Sequence, residues 1–397
     1  MAYQGILDGC DDCGVCVDEC LFLRRYGLTP LKAVVEEEAL LNVHPGSANG
    51  QAGGAPFACL LCGLCDSVCP VGLSPSGMFL EMRARRVRNS AATPACRPFL
   101  SDKKYNLYSI YRSANSIDYS DLSRPKAKTV LFPGCSLGTF YPKLTRALYD
   151  NLVRTEPGLG LLLECCQKPL RDLGLEERYE KATSKLIAAL DDMGVEKIIT
   201  ACPSCLCALQ ERLRDREVVS CYSMIRPNSD QASFSSFGTE IAGAAGNGQQ
   251  EGSRVKVTVH DSCSDRETGV VGSQVRHLLS ETKTVEIVEM AHSGRNSLCC
   301  GSGGLVSAFD PDVASDFNLQ RVREAESSGA KMMVTYCATC ANAFHSGGDP
   351  SKLEARHVLE LVLGVKEDHY GVRRKLNELF VSGPKKEFYE KMIERSP

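Results

Sequence analysis

The chain has 397 residues, 43% of them hydrophobic and 24% charged, with a formal net charge of −3. That length predicts two or three domains of roughly 100–200 residues each, and the near-neutral balance argues against nucleic-acid binding, which needs a clearly basic face. No stretch approaches the roughly 20 apolar residues of a membrane-spanning helix, and the opening MAYQGILDGCDDCG lacks the basic start and apolar core of a secretory signal. The outlier is cysteine, with 21 residues, an odd number in a long chain. Secreted disulfide scaffolds are short and usually even-numbered. The expectation is therefore a cytoplasmic, thiol-reduced protein whose cysteines bind metal, any membrane attachment running through a partner.

From the N-terminus, the first group is Cys10-x2-Cys13-x2-Cys16-x3-Cys20, and the second is Cys59-x2-Cys62-x2-Cys65-x3-Cys69, followed by Pro70. This is the spacing of proteins that hold two [4Fe–4S] cubanes. Three thiolates two residues apart lie on one tight wrap and reach three corners of a cluster. The fourth sits too far round the turn and crosses to the other cluster. Cys10, Cys13, Cys16 and Cys69 are thus assigned to one cubane, and Cys59, Cys62, Cys65 and Cys20 to the other. Zinc is the rival for Cys-x2-Cys pairs, but two full four-cysteine runs favour iron. Leu21 rather than proline follows the first run, which changes the exit turn and not the ligation. The 38 residues between the runs include a helical pattern from Leu28 to Val43 and a loop from Gly46 to Gly54, and Ser76 to Arg88 reads as another helix. Residues 1–95 thus resemble the helical ferredoxin domain of succinate dehydrogenase-type iron–sulfur subunits.

Charge is uneven. Residues 1–20 carry Asp8, Asp11, Asp12, Asp18 and Glu19 with no basic residue, which disfavours electron addition to the first cubane. Residues 81–128 hold 11 Lys/Arg against 4 Asp/Glu. That stretch is expected either to dock a partner or an anionic membrane surface, or to be solvated, and 96–127 is assigned as a basic linker.

The remaining patterned cysteines form an internal repeat. Cys135 follows the apolar TVLFPG, then come the pair Cys165-Cys166 and Cys202-x2-Cys205; the second copy has Cys263 after VKVTVHDS, then Cys299-Cys300 and Cys337-x2-Cys340. The gaps from pair to Cys-x2-Cys are 35 and 36 residues, too regular for chance. Each copy alternates strand and helix: TVLF, a helix from Phe140 to Arg154, GLLLE, a helix from Leu175 to Met193, KIITACP and a helix from Ser204 to Arg214 in the first. In the second, VKVTV, a helix near Val271 to Leu279, VEIVEM, a helix from Val313 to Ala325, KMMVTYC and a helix from Ala338 follow the same order. We predict α/β architecture: a helical two-cluster ferredoxin domain followed by two repeated domains, each with a small three-stranded parallel sheet. The boundaries are 1–95, the linker at 96–127, 128–226, a flexible Ser/Gly/Ala/Gln-rich linker at 227–253, 254–365, and a charged helical tail at 366–397. Functional groups gather at the C-terminal ends of such strands. Cys135, Cys202, Cys263 and Cys337 all fall there.

The repeat resembles the cysteine-rich CCG domain of the B and D subunits of heterodisulfide reductase, the C subunit of anaerobic glycerol-3-phosphate dehydrogenase, and lactate or glycolate oxidase iron–sulfur subunits. The order of two ferredoxin clusters then two CCG domains is similar to the fused D-type and C-type subunits, over about residues 1–365. The resemblance implies one metal site at Cys135, Cys165, Cys166, Cys202 and Cys205 and another at Cys263, Cys299, Cys300, Cys337 and Cys340. In the family a complete five-cysteine motif can hold a non-cubane [4Fe–4S] cluster, so one or two such clusters are expected here, with zinc as the alternative at the first site. The second copy keeps the family's glycine in CCGSGG, where backbone can approach a cluster or substrate closely, whereas the first has Gln167, expected to block substrate or alter the cluster. Around the leading cysteine the family's His-Asp-Pro-Cys-His string reads here as His260-Asp261-Ser262-Cys263-Ser264, which removes one candidate proton donor. The reaction is placed at Cys299 and Cys300 with His260 as proton donor. His44, His277, His292, His345, His357 and His369 are read as surface or structural, and Cys96, Cys207 and Cys221 as incidental thiols.

The function implied is an iron–sulfur oxidoreductase subunit that passes electrons through two cubanes to CCG-bound clusters, where a disulfide or similar acceptor is reduced. A flavoprotein or ferredoxin partner would exchange electrons with it. The competing expectation is a relay between a flavin-dependent glycerol-3-phosphate, lactate or glycolate dehydrogenase and quinone. A third is zinc holding both CCG halves. Iron at all four sites predicts roughly 16 Fe per chain.

Overall fold

The computed structural model describes residues 1–43, 54–88, 94–226, 254–282, 285–347 and 352–396. His44, the anticipated loop at 46–53 and the linker at 227–253 lie outside them. The fold is mixed α/β with two small parallel sheets after a helical N-terminal unit.

In the N-terminal unit, helix Ala2–Gly9 buries Tyr3 and Ile6 against helix Pro75–Arg88. Its first N–H groups have no helical acceptor. The Glu81 carboxylate accepts from those of Ala2 at 2.6 Å and Tyr3 at 3.1 Å, placing negative charge at the positive helix end. The two cysteine wraps share one backbone path. Asp12 and Leu61 have φ of 54° and 51°, and Gly14 and Gly63 have 81° and 72°. Glycine takes that conformation freely, whereas Leu61 costs about 1–2 kcal/mol. The short helices Val15–Glu19 and Leu64–Val68 then start from those glycines.

Each repeat builds a four-stranded sheet rather than the expected three. In the first, β1 (Thr129–Phe132), β2 (Gly160–Leu161), β3 (Lys197–Thr200) and β4 (Glu217–Ser220) lie in the order β2-β1-β3-β4, all parallel. In the second, β5 (Val255–His260), β6 (Val285–Ile287), β7 (Met332–Thr335) and β8 (Glu354–His357) lie in the order β6-β5-β7-β8. The missed strands, EVVS and EARH, are four-residue edges with charged residues and no apolar run, as edge strands tend to be. Central β3 and β7 (KIIT and MMVT) are nearly or wholly buried. The two sheets share one core, with Val130, Leu131 and Ile199 in the same cluster as Val259 and Val334. The ferredoxin unit shares its core with the second repeat, where Phe22 and Phe79 pack in one cluster with Phe317 and Phe344.

Segment 96–127 is not a solvated linker. Asn106 caps helix Leu107–Ala114, accepting from the N–H groups of Tyr108 and Ser109 at 3.0 Å, and Tyr111 is buried edge-on against Phe140 at 5.1 Å. Nor is the basic RARRVR run free for docking. Arg83 is fully buried, and Arg85 and Arg86 pair with Glu38 and Glu37. The C-terminal tail forms helices His369–Phe380 and Lys386–Glu394 and returns to the first repeat, with Glu367 accepting from the Leu144 N–H at 2.9 Å and Arg97 facing Glu394 at 3.6 Å. No helix among the described residues is long and apolar enough to cross a membrane.

Three histidines pack beside β8. His345 and His369 stack at 3.8 Å, His369 meets Glu360 at 2.6 Å, and His357 Nδ1 accepts the Leu359 N–H at 3.3 Å as a helix cap. Burial pushes His345 down to about 3 and His357 to about 4, from 6.5. Both stay neutral in the folded protein at pH 5.5, while the unfolded chain protonates them. The unfolded state therefore binds more protons, and stability falls as pH drops from about 6.5 towards 4. Going from pH 7.5 to 5.5 is expected to cost on the order of 1 kcal/mol per histidine. Burial raises Glu367 and offsets part of this, so the useful readout is a difference between proteins. His357→Asn keeps a capping side chain, and in denaturant titrations it should remove on the order of 1 kcal/mol of the pH-dependent loss. An unchanged pH slope would contradict the neutral buried imidazole.

Candidate metal centres

Cys10, Cys13, Cys16 and Cys69 line one cavity of about 60 Å³ together with Asp11, Asp12 and Val71. Cys13 is exposed, and burial followed by repulsion from Cys10 pushes Cys16 up to about 11. Cys59 and Cys65 are buried and feel the charges of Cys20 and Cys62, and burial raises Cys20 to about 12. Cys69 thus lies with Cys10, Cys13 and Cys16, and Cys20 near Cys59, Cys62 and Cys65.

In the repeats, four cysteines sit just past strand ends. Cys135 follows β1, Cys202 follows β3 and precedes helix Pro203–Arg212, Cys263 follows β5, and Cys337 follows β7. The adjacent pairs reach them from the loops after β2 and β6. In the first set, thiol contacts run Cys135–Cys165–Cys166–Cys205–Cys202. In the second they run Cys263–Cys299–Cys300–Cys340–Cys337. Two further contacts join the sets. Cys202 meets Cys337 across the repeats, and Cys62 of the ferredoxin unit meets Cys299. The Cys299 hydrogen bond, aided by Arg266, pulls Cys62 down to about 6 against its burial. Sulfur therefore continues without a break from the second ferredoxin set through the second repeat to the first.

Both repeat sets open on one cavity of about 360 Å³, walled by Leu60, Leu61 and Cys62 of the ferredoxin unit as well as by Cys135, Cys166, Cys205, Cys263, Cys300 and Cys340. The interface around it is two-fold in character. Ser136 meets Thr339 at 3.0 Å, and Ser204 meets Ser264 at 2.7 Å.

These residues fit iron. Thiolates are the ligating form, and five sulfurs converging in each set make the soft donor group that iron–sulfur clusters and zinc select. A further sign is His260, 1% exposed, whose Nδ1 accepts from Arg321 Nε at 3.0 Å. Guanidinium can only donate, so the neutral ring carries its proton on Nε2. That nitrogen makes no close hydrogen bond to nitrogen or oxygen among the described residues and faces the Cys300 sulfur instead, a ring nitrogen lying within 4.8 Å of the Cys300 and Cys340 sulfurs. The Arg321 contact makes His260 a donor towards sulfur rather than a metal ligand. Burial lowers its pKa against the opposing pull of the Cys300 contact, and the Arg321 cation adds to the lowering.

Gln167 does not reach into the cavity, contrary to expectation. It is 5% exposed with φ of 64°, its amide donating to the Cys165 carbonyl at 3.1 Å and accepting from Ser101 at 2.8 Å. Its counterpart Gly301, at φ 90°, abuts the Ala314 carbonyl, where a Cβ would fall under 3.0 Å. Glycine there serves helix packing more than substrate approach. Cys96 and Cys221 are buried, whereas Cys207 lines the cavity and donates to the Ser264 carbonyl at 2.9 Å. Sequence reasoning missed Tyr108, which hydrogen-bonds Cys135 at the cavity wall from the supposed linker, and the buried Arg83, Arg266 and Arg321.

A ferredoxin-type unit joined to two cysteine-lined α/β repeats defines an iron–sulfur electron-transfer protein. Residues 129–210 and 257–345 match the CCG cysteine-rich domain, and residues 6–73 match the 4Fe-4S dicluster domain. The chain belongs to the CCG-domain iron–sulfur proteins with an N-terminal ferredoxin domain. It is 25% identical to the D subunit of dihydromethanophenazine:CoB–CoM heterodisulfide reductase from Methanosarcina barkeri, covering 90% of this chain and 93% of that one. It is 24% identical to the B subunit of fumarate reductase (CoM/CoB) from Methanothermobacter marburgensis, over 84% of this chain and 66% of the relative. It is also 24% identical to the EtfAB:quinone oxidoreductase of Syntrophomonas wolfei, over 57% of this chain and 32% of the relative. These relatives are oxidoreductases or their subunits, and this chain is an iron–sulfur oxidoreductase subunit.

Proposed function

We propose that the protein is the disulfide-reducing subunit of a larger complex. The observation that carries this reading is the single cavity on which both five-cysteine sets open, joined through Cys62 and Cys299 to the second ferredoxin set. Cys10, Cys13, Cys16 and Cys69 would hold one cubane, Cys20, Cys59, Cys62 and Cys65 the other, and each CCG set a further cluster. Bound there, such clusters deliver electrons one at a time and offer iron to sulfur. Cleaving a disulfide takes two electrons and two protons and releases two thiols. Leu60, Leu61, Leu137 and Leu305 give the cavity apolar walls that keep water from the sulfurs. His260, neutral and fixed by Arg321, holds an N–H beside Cys300. A flavoprotein or ferredoxin would reach the chain at the exposed Cys13 of the first set.

Anaerobically purified protein should contain roughly 16 Fe with no stoichiometric zinc, and it should reduce a disulfide when driven by a chemical one-electron donor. Zinc in place of iron at the first CCG set would leave one active set and roughly 12 Fe. Colourless, iron-free protein would end the proposal. The second reading, a relay to quinone, draws on the likeness to the EtfAB:quinone oxidoreductase and on the same apolar walls. Quinone turnover without disulfide turnover, with a co-purifying flavoprotein, would decide for it.

A further inference from the structure

The set formed by Cys20, Cys59, Cys62 and Cys65 is flanked by two guanidiniums that form no salt bridge with a carboxylate among the described residues. Arg83, 0% exposed, donates to the carbonyls of Pro56 at 2.8 Å, Cys59 at 2.6 Å, Asp172 at 2.6 Å and Gly304 at 2.8 Å. Arg266, 5% exposed, donates to the carbonyls of Cys62 at 3.1 Å and Ser297 at 2.6 Å, and to that of Arg295. Carbonyls satisfy N–H groups but bring no net charge, and a buried cation is costly unless an anion lies near it. Of the nearby carboxylates, Asp172 pairs with Lys168 while its charge also reaches Arg83, and Glu267 pairs with Arg295. Asp66, which accepts from Ser74, Ser76 and Cys65, adds one negative charge against the two guanidiniums. Each guanidinium instead touches the backbone of a cysteine in the set. The first set is the opposite case. Asp11 and Asp12 line its cavity, and no lysine or arginine among the described residues does so.

We propose that Arg83 and Arg266 are potential-setting residues, whose two positive charges outweigh that of Asp66 beside Cys65 and hold a cluster on Cys20, Cys59, Cys62 and Cys65 at a higher potential than the one on Cys10, Cys13, Cys16 and Cys69. Net charge and burial are among the protein's levers on cluster potential. Each one-electron reduction adds a negative charge, which the buried cations favour at the second set and the aspartates oppose at the first. Electrons arriving at the first set therefore run downhill to the sulfur that touches Cys299. This rests on the cluster assignment above but not on disulfide turnover, so its failure and that of the proposed reaction are separately readable.

The test is a redox titration of the full chain, purified without oxygen and followed by paramagnetic resonance. The two ferredoxin-type signals should titrate at different midpoints. Arg266→Gln should move the higher midpoint to more negative potential and leave the lower one in place, whereas Arg266→Lys, which keeps the charge, should move it much less. Asp11→Asn combined with Asp12→Asn should raise only the lower midpoint. Equal wild-type midpoints, an unmoved higher midpoint in iron-replete Arg266→Gln, or both variants acting on one signal would overturn the proposal. If Arg266→Gln loses iron, the aspartate variant decides alone: raising the lower midpoint supports the assignment, and raising the higher one, or neither, defeats it.

Discussion

Cys300→Ala is expected to lower disulfide reduction by on the order of 10³-fold or more while both ferredoxin-type resonance signals survive. Cys300 stands in the middle of the second set, touching Cys299 on one side and Cys340 on the other, and its sulfur lies within 4.8 Å of a ring nitrogen of His260. Its loss breaks the row where a reacting sulfur would be held. The ferredoxin set is reached through Cys62 and Cys299, so Cys300 can change without disturbing it. The measurement is disulfide turnover with a one-electron donor, alongside low-temperature resonance spectra of the reduced protein. Wild-type turnover would remove the second set from the reaction. If both ferredoxin signals also vanished, the variant would have failed to assemble, and Cys135→Ala in the first set would then give the comparison.

Gly301→Ala is expected to destabilise the protein by about 3 kcal/mol or more and to strip iron from the second set. At φ 90° a side chain is strained by about 1–2 kcal/mol on its own, and the new Cβ would also press on the Ala314 carbonyl in the first turns of helix Pro311–Ser327. Backbone cannot swing aside as a flexible side chain can. The paired variant is Gln167→Gly, at the matching place in the first repeat. It relieves a left-handed glutamine but loses the hydrogen bonds to Ser101 and the Cys165 carbonyl, so its net change should stay within about 1 kcal/mol. Denaturant midpoints with iron counts check both. Equal effects would mean that the glycine answers to the cluster and not to the helix behind it.

The sequence made the sulfur chemistry legible because ligation imposes spacing. Two-residue gaps and strand-end cysteines are local and mark the groups out, while the fold sets Cys69 beside Cys10 and Cys20 beside Cys59. The α/β repeat was legible for the same reason, through apolar runs at TVLF, KIIT and MMVT. Edge strands EVVS and EARH escaped because their partners, not their own composition, make them strands. Long-range electrostatics also escaped. The run RARRVR reads as a solvated basic stretch, yet its first arginine is wholly enclosed and reaches the Gly304 carbonyl in the second repeat. The segment read as a linker carries Tyr108 to Cys135. Nothing in a one-dimensional pattern separates a cation that faces water from one that faces a sulfur cage.

The loop bearing Cys59 to Gly63 belongs to two structures at once. It wraps the second ferredoxin set, and it also walls the large cavity, with Gly303 and Gly304 seated against the Leu60 and Cys59 carbonyls. Oxygen damage that stripped metal from that wrap would therefore loosen the chamber at the same moment that it cut the current.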